Sequence, residues 1–214
     1  ETFELNYQTA FKSDYLISFN LFYNTLDNLI TRTIELDDFG NYESSVNKNA
    51  GRLITNGLEL SFNYRPSPKF SAEISTTHQT TVDKLAGHED IQLAYSPNHL
   101  GYLKIEYDIT KHISIAMNAQ FVDRMETYWD DSPDETSVSY LPLGRIGKAV
   151  DGYTLMGANF RINELIIPGV YAHIRIANLL DSEIRYPTFT NNPWADKGTI
   201  GEGRAFYITL GRHF

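Results

Sequence analysis

The stretch Gly201–Phe214 reads GEGRAFYITLGRHF, and its alternation decides the fold. Phe206, Ile208, Leu210 and Phe214 fall on one face, with Arg212 the exception. Tyr207, Thr209, Gly211 and His213 fall on the other. This is the period-2 pattern of a strand with one apolar side. Terminal residues usually fray unless the fold ties them down. A strand at this position is therefore expected to be held by a neighbouring strand.

Working back along the chain, the same pattern recurs. Nine strands are expected, over 2–11, 15–33, 52–65, 70–81, 99–108, 113–126, 153–162, 170–178 and 203–214. The first sets Phe3, Leu5, Tyr7 and Phe11 against Glu4, Asn6 and Gln8. The third sets Leu58, Leu60, Phe62 and Tyr64 against Glu59, Ser61 and Asn63. The fifth sets Leu103, Ile105 and Tyr107 against Lys104, Glu106 and Asp108. Only the seventh, YTLMGANFRI, is blurred. Strands of soluble domains usually run about five or six residues. These are closer to the roughly 9–11 tilted residues that cross a bilayer.

Composition bounds the reading. The 214 residues suffice for one domain or part of a larger one. There is no cysteine, which excludes disulfides and thiolate metal sites. No apolar run is long enough for a membrane helix, but barrel strands give a much weaker signal per segment. The net charge of −9 argues against a nucleic-acid surface, which needs a basic stripe. The chain starts at Glu1 with no signal-peptide pattern, so a processed chain or a piece of a longer one is expected.

Alternation alone also fits a soluble sandwich, with its apolar face inward. The connections separate the two. They run short and long in turn: 12–14, 66–69, 109–112 and 163–169 are short, whereas 34–51, 82–98, 127–152 and 179–202 are long. Structureless loops beyond about 12–15 residues are uncommon in compact soluble domains. Short turns at one end and long loops at the other are the habit of outer-membrane barrels. The expected fold is therefore all-β: an antiparallel up-and-down transmembrane β-barrel segment. Aromatics near strand ends, among them Tyr15, Tyr64, Phe70 and Tyr107, fit interfacial girdles.

In this order the segments FNLFYNTLDNLI, GLELSFNYRP, YSPNHLGYLKIEY, RIANLLDSEIRYP and GEGRAFYITLGRHF resemble the C-terminal part of a TonB-dependent outer-membrane receptor. The Asn-Leu-x-Asp turn at 178–181 and the Gly-Arg opening of the last strand are the more specific of these. The resemblance implies a 22-stranded barrel with an N-terminal plug, of which residues 1–214 would be the last nine strands. It implies active, TonB-coupled uptake of a scarce nutrient, most often a ferric siderophore, and no enzymatic activity. It also implies a strand signal for the barrel-assembly machinery, carried here by Phe206, Ile208, Leu210 and Phe214. The implied location is the outer membrane of a Gram-negative bacterium. The implied partners are membrane lipid and lipopolysaccharide, TonB and a metal chelate. No resident cofactor is expected, since iron enters only within the chelate. From the residues alone, a passive porin or small barrel protein remains open, and a soluble carbohydrate-binding sandwich is a third reading.

Candidate contacts follow from residue type. Tyr42, Tyr128, Trp129, Tyr140 and Trp194 lie in the long loops and offer rigid stacking surface for a ligand. Packing between loops is the commoner role for any one of them. Arg124, Arg161, His173 and Arg175 fall on the polar face, toward a lumen, plug or ligand. The bland alternative there is a network of ion pairs with Glu59, Glu73 and Glu106. Acidic loop residues such as Asp37, Asp130, Asp134 and Glu202 form a mouth that attracts cations, or simply a solvated surface. The acids of YWDDSPDE offer oxygen ligands, but their spacing matches no calcium loop. The histidines show no metal-ligand spacing, and no catalytic constellation stands out.

Overall fold

The computed structural model describes residues 1–84, 91–127, 129–130, 144–145, 148–164, 167–187 and 198–212, the side chains of 32–34, 36, 42, 45, 129–130 and 144–145 excepted. Its strands, in chain order, are β1 Thr2–Phe11, β2 Tyr15–Leu36, β3 Tyr42–Ser67, β4 Phe70–Asp83, β5 Ile91–Gln92, β6 His99–Asp108 and β7 Ile113–Val122. They continue as β8 Trp129–Asp130, β9 Gly144–Arg145, β10 Tyr153–Asn163, β11 Val170–Ala177, β12 Arg185–Tyr186, β13 Thr199–Ile200 and β14 Ala205–Arg212. The nine long strands form one antiparallel sheet in the order β1-β2-β3-β4-β6-β7-β10-β11-β14, each beside its successor. This is the expected up-and-down topology. Its edge strands are β1 and β14.

The registers give every strand two faces. One apolar row runs Tyr64, Ala72, Ile105, Met117, Ala158, Ile176 and Phe206 across the sheet. One polar row runs Ser61, Ser75, Tyr102 and Gln120. The blurred strand β10 is resolved by pairing. Met156, Ala158 and Phe160 join the apolar rows through Ala119, Met117 and Ile115, and Arg161 joins the polar face opposite Ser114. On the apolar face Leu5, Ile74 and Leu210 are 62%, 51% and 74% exposed, so no described residue covers this face there. Phe206, Ile208 and Leu210 share that face of β14, while Phe214 lies outside the described residues. At the short-turn end the aromatics touch. Tyr15 stacks on Tyr64 at 4.7 Å, Phe11 meets Tyr15 at 6.3 Å, and Tyr64 meets Phe70 edge-on at 6.1 Å. Such a belt suits the boundary between hydrocarbon and water.

The structure corrects the sequence at the first of its long connections. Residues 34–51 are not structureless. β2 has 22 residues and β3 has 26, and they stay paired to Leu36 and Tyr42. A bilayer crossing takes only about 9–11 residues, so much of this hairpin stands beyond the apolar band. The register shifts between Leu26 and Leu29, where Asn28 takes a positive φ of 60°. Such bulges re-aim a strand pair. Lys48 ion-pairs with Glu35, and Arg52 with Asp27 at 3.1 Å, each pair crossing between β2 and β3. Some boundaries also shorten: the strand expected over 113–126 stops at Val122, that over 170–178 stops at Ala177, and that over 203–214 begins at Ala205.

The hairpin tip is tied by Asp37. Its Oδ1 accepts the backbone N–H groups of Asn41 at 2.7 Å and Phe39 at 2.9 Å, and Oδ2 accepts the Asn41 amide at 3.1 Å. Gly40 supplies the positive φ of 82° that the turn requires. The hydrogen bonds from Asn41 hold the Asp37 carboxyl below the usual aspartate range. A depressed folded value means that the tip's stabilisation is present above the ordinary aspartate value and fades as pH falls through the lower, folded one. Carboxyl NMR should find Asp37 titrating below an unstructured aspartate, with the Phe39 and Asn41 amides moving in step. Titration at the ordinary value would contradict the turn.

Candidate functional site

The polar face meets the long connections at the end opposite the aromatic belt, and the candidate site is built there. The first component is a motif turn. Asn178 is 2% exposed and takes a positive φ of 47°, a conformation asparagine tolerates better than most residues. Its amide nitrogen donates to the carbonyls of Ser182 at 2.9 Å and Glu202 at 3.1 Å. Its Oδ1 accepts the Ser182 N–H at 2.9 Å. Asp181 Oδ1 accepts the Arg204 N–H at 2.9 Å. Asparagine and aspartate of this turn thus fasten the outgoing loop of β11 to the incoming end of β14.

The second component is a small core among the connections. Met125 and Val150 exchange backbone hydrogen bonds of 3.0 and 2.9 Å. Met125, Val150 and Ile184 are 7%, 2% and 2% exposed. Gly198, at φ 88°, closes against Val150 and against the Tyr186 carbonyl, where a Cβ would come within 2.5 Å. Tyr186 meets Tyr153 edge-on at 6.2 Å. The β12–β13 ladder is therefore packed into a cluster with residues 125 and 150 rather than standing free.

Beneath the β12–β13 ladder lies a cavity of about 570 Å³. Asn118, Gln120 and Asn159 line its wall from β7 and β10, and Arg175, Asn178, Tyr186 and Glu202 complete the polar set. Arg175 also lies 5.7 Å from the ring of Tyr207, its neighbour on β14. The cavity offers amide donors and acceptors, one cation and one carboxylate, which suits a polar ligand with several oxygen atoms. Leu155 sits on the polar face in this same cavity, near Ile184. That explains why the alternation of β10 looked blurred: its inner face is partly covered by apolar loop residues.

The residues expected from sequence divide as follows. Arg161 and His173 are cross-strand neighbours and line a second polar cavity, of about 180 Å³, with Arg65, Lys69, Glu106 and Asp108. Arg175 belongs to the larger cavity. Arg124 lies past the end of β7 and pairs with Glu126 at 3.2 Å, exposed, rather than standing on a strand. Arg161 shares the smaller cavity with Glu106, whose direct partners are nearer at hand. Glu106 takes Lys104 at 2.9 Å and Ser71 at 3.1 Å, and Glu59 takes the Asn20 amide at 3.2 Å. Tyr42 is the first residue of β3 and Trp129 of β8, with their side chains outside the described set. Tyr128, Tyr140 and Trp194 lie outside the described residues. Asn118, Gln120, Asn159 and Tyr186 are not among the site residues expected from sequence, and Glu202 enters there only as part of the acidic mouth. The alternation put the first two on the polar face, but only pairing with the loops makes them neighbours.

A family model described as TonB dependent receptor-like, beta-barrel matches residues 1–179. No curated protein matches the chain. Among solved structures, the ferric-catecholate import receptor Fiu of E. coli K12 superposes with a TM-score of 0.70 at 21% identity, over 100% of this chain and 27% of that one. The siderophore receptor PiuA of Acinetobacter baumannii gives 0.67 at 17%, over 98% of this chain and 27% of that one. The ferripyoverdine receptor of Pseudomonas aeruginosa gives 0.65 at 14%, over 98% and 26%. At these identities the likeness concerns the fold. The chain spans about a quarter of the length of these structures.

Proposed function

This chain belongs to the TonB-dependent receptor family through its β-barrel domain, and we propose that it is the C-terminal part of the barrel of a receptor that imports a ferric siderophore with energy delivered through TonB. The family is one of outer-membrane receptors of Gram-negative bacteria, not enzymes, and the apolar face of the sheet is accordingly its lipid face. A soluble carbohydrate-binding sandwich is thereby set aside. Its being one portion of a larger barrel is supported by the sheet itself, whose edges are β1 and β14, and by the 27% of the Fiu chain that it covers. Coupling to TonB would run through parts of the receptor outside this chain.

The observation that carries the substrate reading is the loop cluster fixed above a polar-lined cavity. A ligand captured there meets oxygen-seeking groups, Asn118, Gln120, Asn159 and Arg175, on a rigid wall. Iron would pass only as a chelate. The loop aromatics Tyr42, Tyr128, Trp129, Tyr140 and Trp194 would supply stacking surface for the ligand. Arg161 and His173 would face whatever fills the lumen.

Trp129→Ala and Trp194→Ala in the intact receptor should each weaken binding of its ferric siderophore, by about tenfold or more if either is an aromatic anchor worth over 1.4 kcal/mol. Isothermal titration against a siderophore panel measures this. Unchanged affinity in both variants removes them from the site. TonB-independent uptake of iron, or uptake of no chelate in the panel, would overturn the functional reading itself.

A further inference from the structure

The histidines have no metal-ligand spacing along the chain, but the sheet pairs two of them. His78 of β4 stands directly opposite His99 of β6 on the apolar face. Both side chains are exposed. One row toward the aromatic belt the face is apolar or small, with Leu60, Thr76, Gly101 and Phe121. One row the other way it turns polar, with Tyr23, Asn56 and Thr80. The pair therefore sits at the outer margin of the hydrocarbon band, where water meets it.

The geometry of the pair is that of two ligands. His78 Nδ1 lies 2.8 Å from His99 Nε2. The ring centroids are only 4.5 Å apart, and the planes are inclined by 41°. Each centroid lies behind its nitrogen, so a straight N–H···N bond would hold the centroids further apart. The ring axes are instead bent off the line between the nitrogens. An imidazole nitrogen binds a divalent metal at about 2.0–2.1 Å, so two of them at a right angle on one ion stand about 2.9 Å apart. A tetrahedral ion would spread them to about 3.3 Å. The observed spacing matches the right angle, which is the tetragonal preference of Cu(II).

A second observation points the same way. His99 Nδ1 lies 2.9 Å from Asp123 Oδ2, and the backbone N–H of Arg124 holds the other oxygen, Oδ1, at 2.8 Å. A carboxylate on the far nitrogen is the usual partner of a metal-ligating histidine, because it fixes the proton on that nitrogen and leaves the other free for the ion. We propose that His78 Nδ1 and His99 Nε2 form a bis-imidazole site for a divalent copper ion, with Asp123 positioning His99. Among the described residues no set of three histidine or acidic side chains surrounds a common point, so water fills the remaining coordination positions. Without metal, His78 donates its Nδ1–H to His99 Nε2. On binding, that proton moves to His78 Nε2, and no net proton is released while both rings are neutral. The ion ties β4 to β6 at the foot of the connection that carries β5. The site stands on the outer face of the sheet and is independent of the imported ligand.

The test is titration of the full-length receptor with Cu(II), after purification in mild detergent and treatment with chelator, read by electron paramagnetic resonance. Wild type should gain a tetragonal signal coupled to two imidazole nitrogens. His78→Ala and His99→Ala should each lose one of those couplings and bind roughly tenfold or more weakly. Asp123→Asn should keep both couplings and bind about tenfold more weakly; unchanged affinity there would remove its positioning role. Both histidines are exposed, so assembly should persist, as read by heat-modifiable migration; if one variant fails to assemble, the other decides. Wild type without a copper signal, a signal with fewer than two nitrogen couplings, or equal affinity in an assembled histidine variant would each overturn the site. Siderophore uptake by the variants should stay at the wild-type level, which separates this proposal from the transport reading.

Discussion

Arginine in place of Leu103 should sharply deplete the folded receptor. Leu103 stands mid-strand in β6, between Ile74 of β4 and Ala119 of β7, on the lipid face. A cation near the middle of the bilayer costs a barrel about 2–4 kcal/mol. That is a large share of the roughly 5–15 kcal/mol that keeps a native protein folded. The adjacent residue supplies the control. Tyr102 points to the opposite face, in register with Ser75 and Gln120. Tyr102→Arg should cost less than about 1 kcal/mol, since lumen charges are solvated. Denaturant unfolding of both variants in lipid vesicles measures the difference. Equal costs at 102 and 103 would mean that the two faces have been assigned wrongly.

The second large effect is expected at Asn178. Substitution by alanine removes three hydrogen bonds and leaves the carbonyls of Ser182 and Glu202 without their donor in a buried turn. Each such bond contributes about 0.5–1.5 kcal/mol, and an orphaned buried group costs about 1–3. Alanine also resists the φ of 47° that Asn178 adopts. The expected loss is about 2–4 kcal/mol, local to the loop between β11 and β14. Because that loop carries Ile184 and Tyr186, ligand binding should weaken together with it. Hydrogen exchange at Ser182 and Arg204 should speed up while the β2–β3 amides are unchanged. Unchanged exchange at those two positions would show that the turn is held by other means.

Much of this architecture is visible in the residues themselves. Period-2 alternation in strands such as Phe3–Phe11 is a local signal, because successive side chains point to opposite faces. The nine long strands and the short turns between them follow from it. The Asn178–Asp181 motif was also legible as a motif, though not its role as a clasp. What alternation could not deliver lay where two distant segments meet. Leu155 looked out of phase because its cover, the β12–β13 ladder, is thirty or so residues away in sequence. The hairpin beyond Thr33 looked like a loop because residues 34–51 are rich in Asp, Asn, Ser and Gly and show no sustained apolar face. The pairing of Arg124 was not legible because the choice of neighbour depends on register, and the nearby Glu126 wins over a more distant charge; Glu106 likewise takes the nearby Lys104 directly while sharing its cavity with Arg161.

By itself, then, the sequence determined an antiparallel sheet with one lipid-compatible face, its turn and loop ends, and the family to which the chain belongs. These depend on residue order along single strands. The tertiary structure alone decided which loops join, through Met125, Val150 and Ile184, and which polar residues share the cavity beneath them. It alone brought His78, His99 and Asp123 into one hydrogen-bonded chain on the outer margin of the lipid face. Cross-strand registry sets those distances, and no periodicity within one strand encodes it.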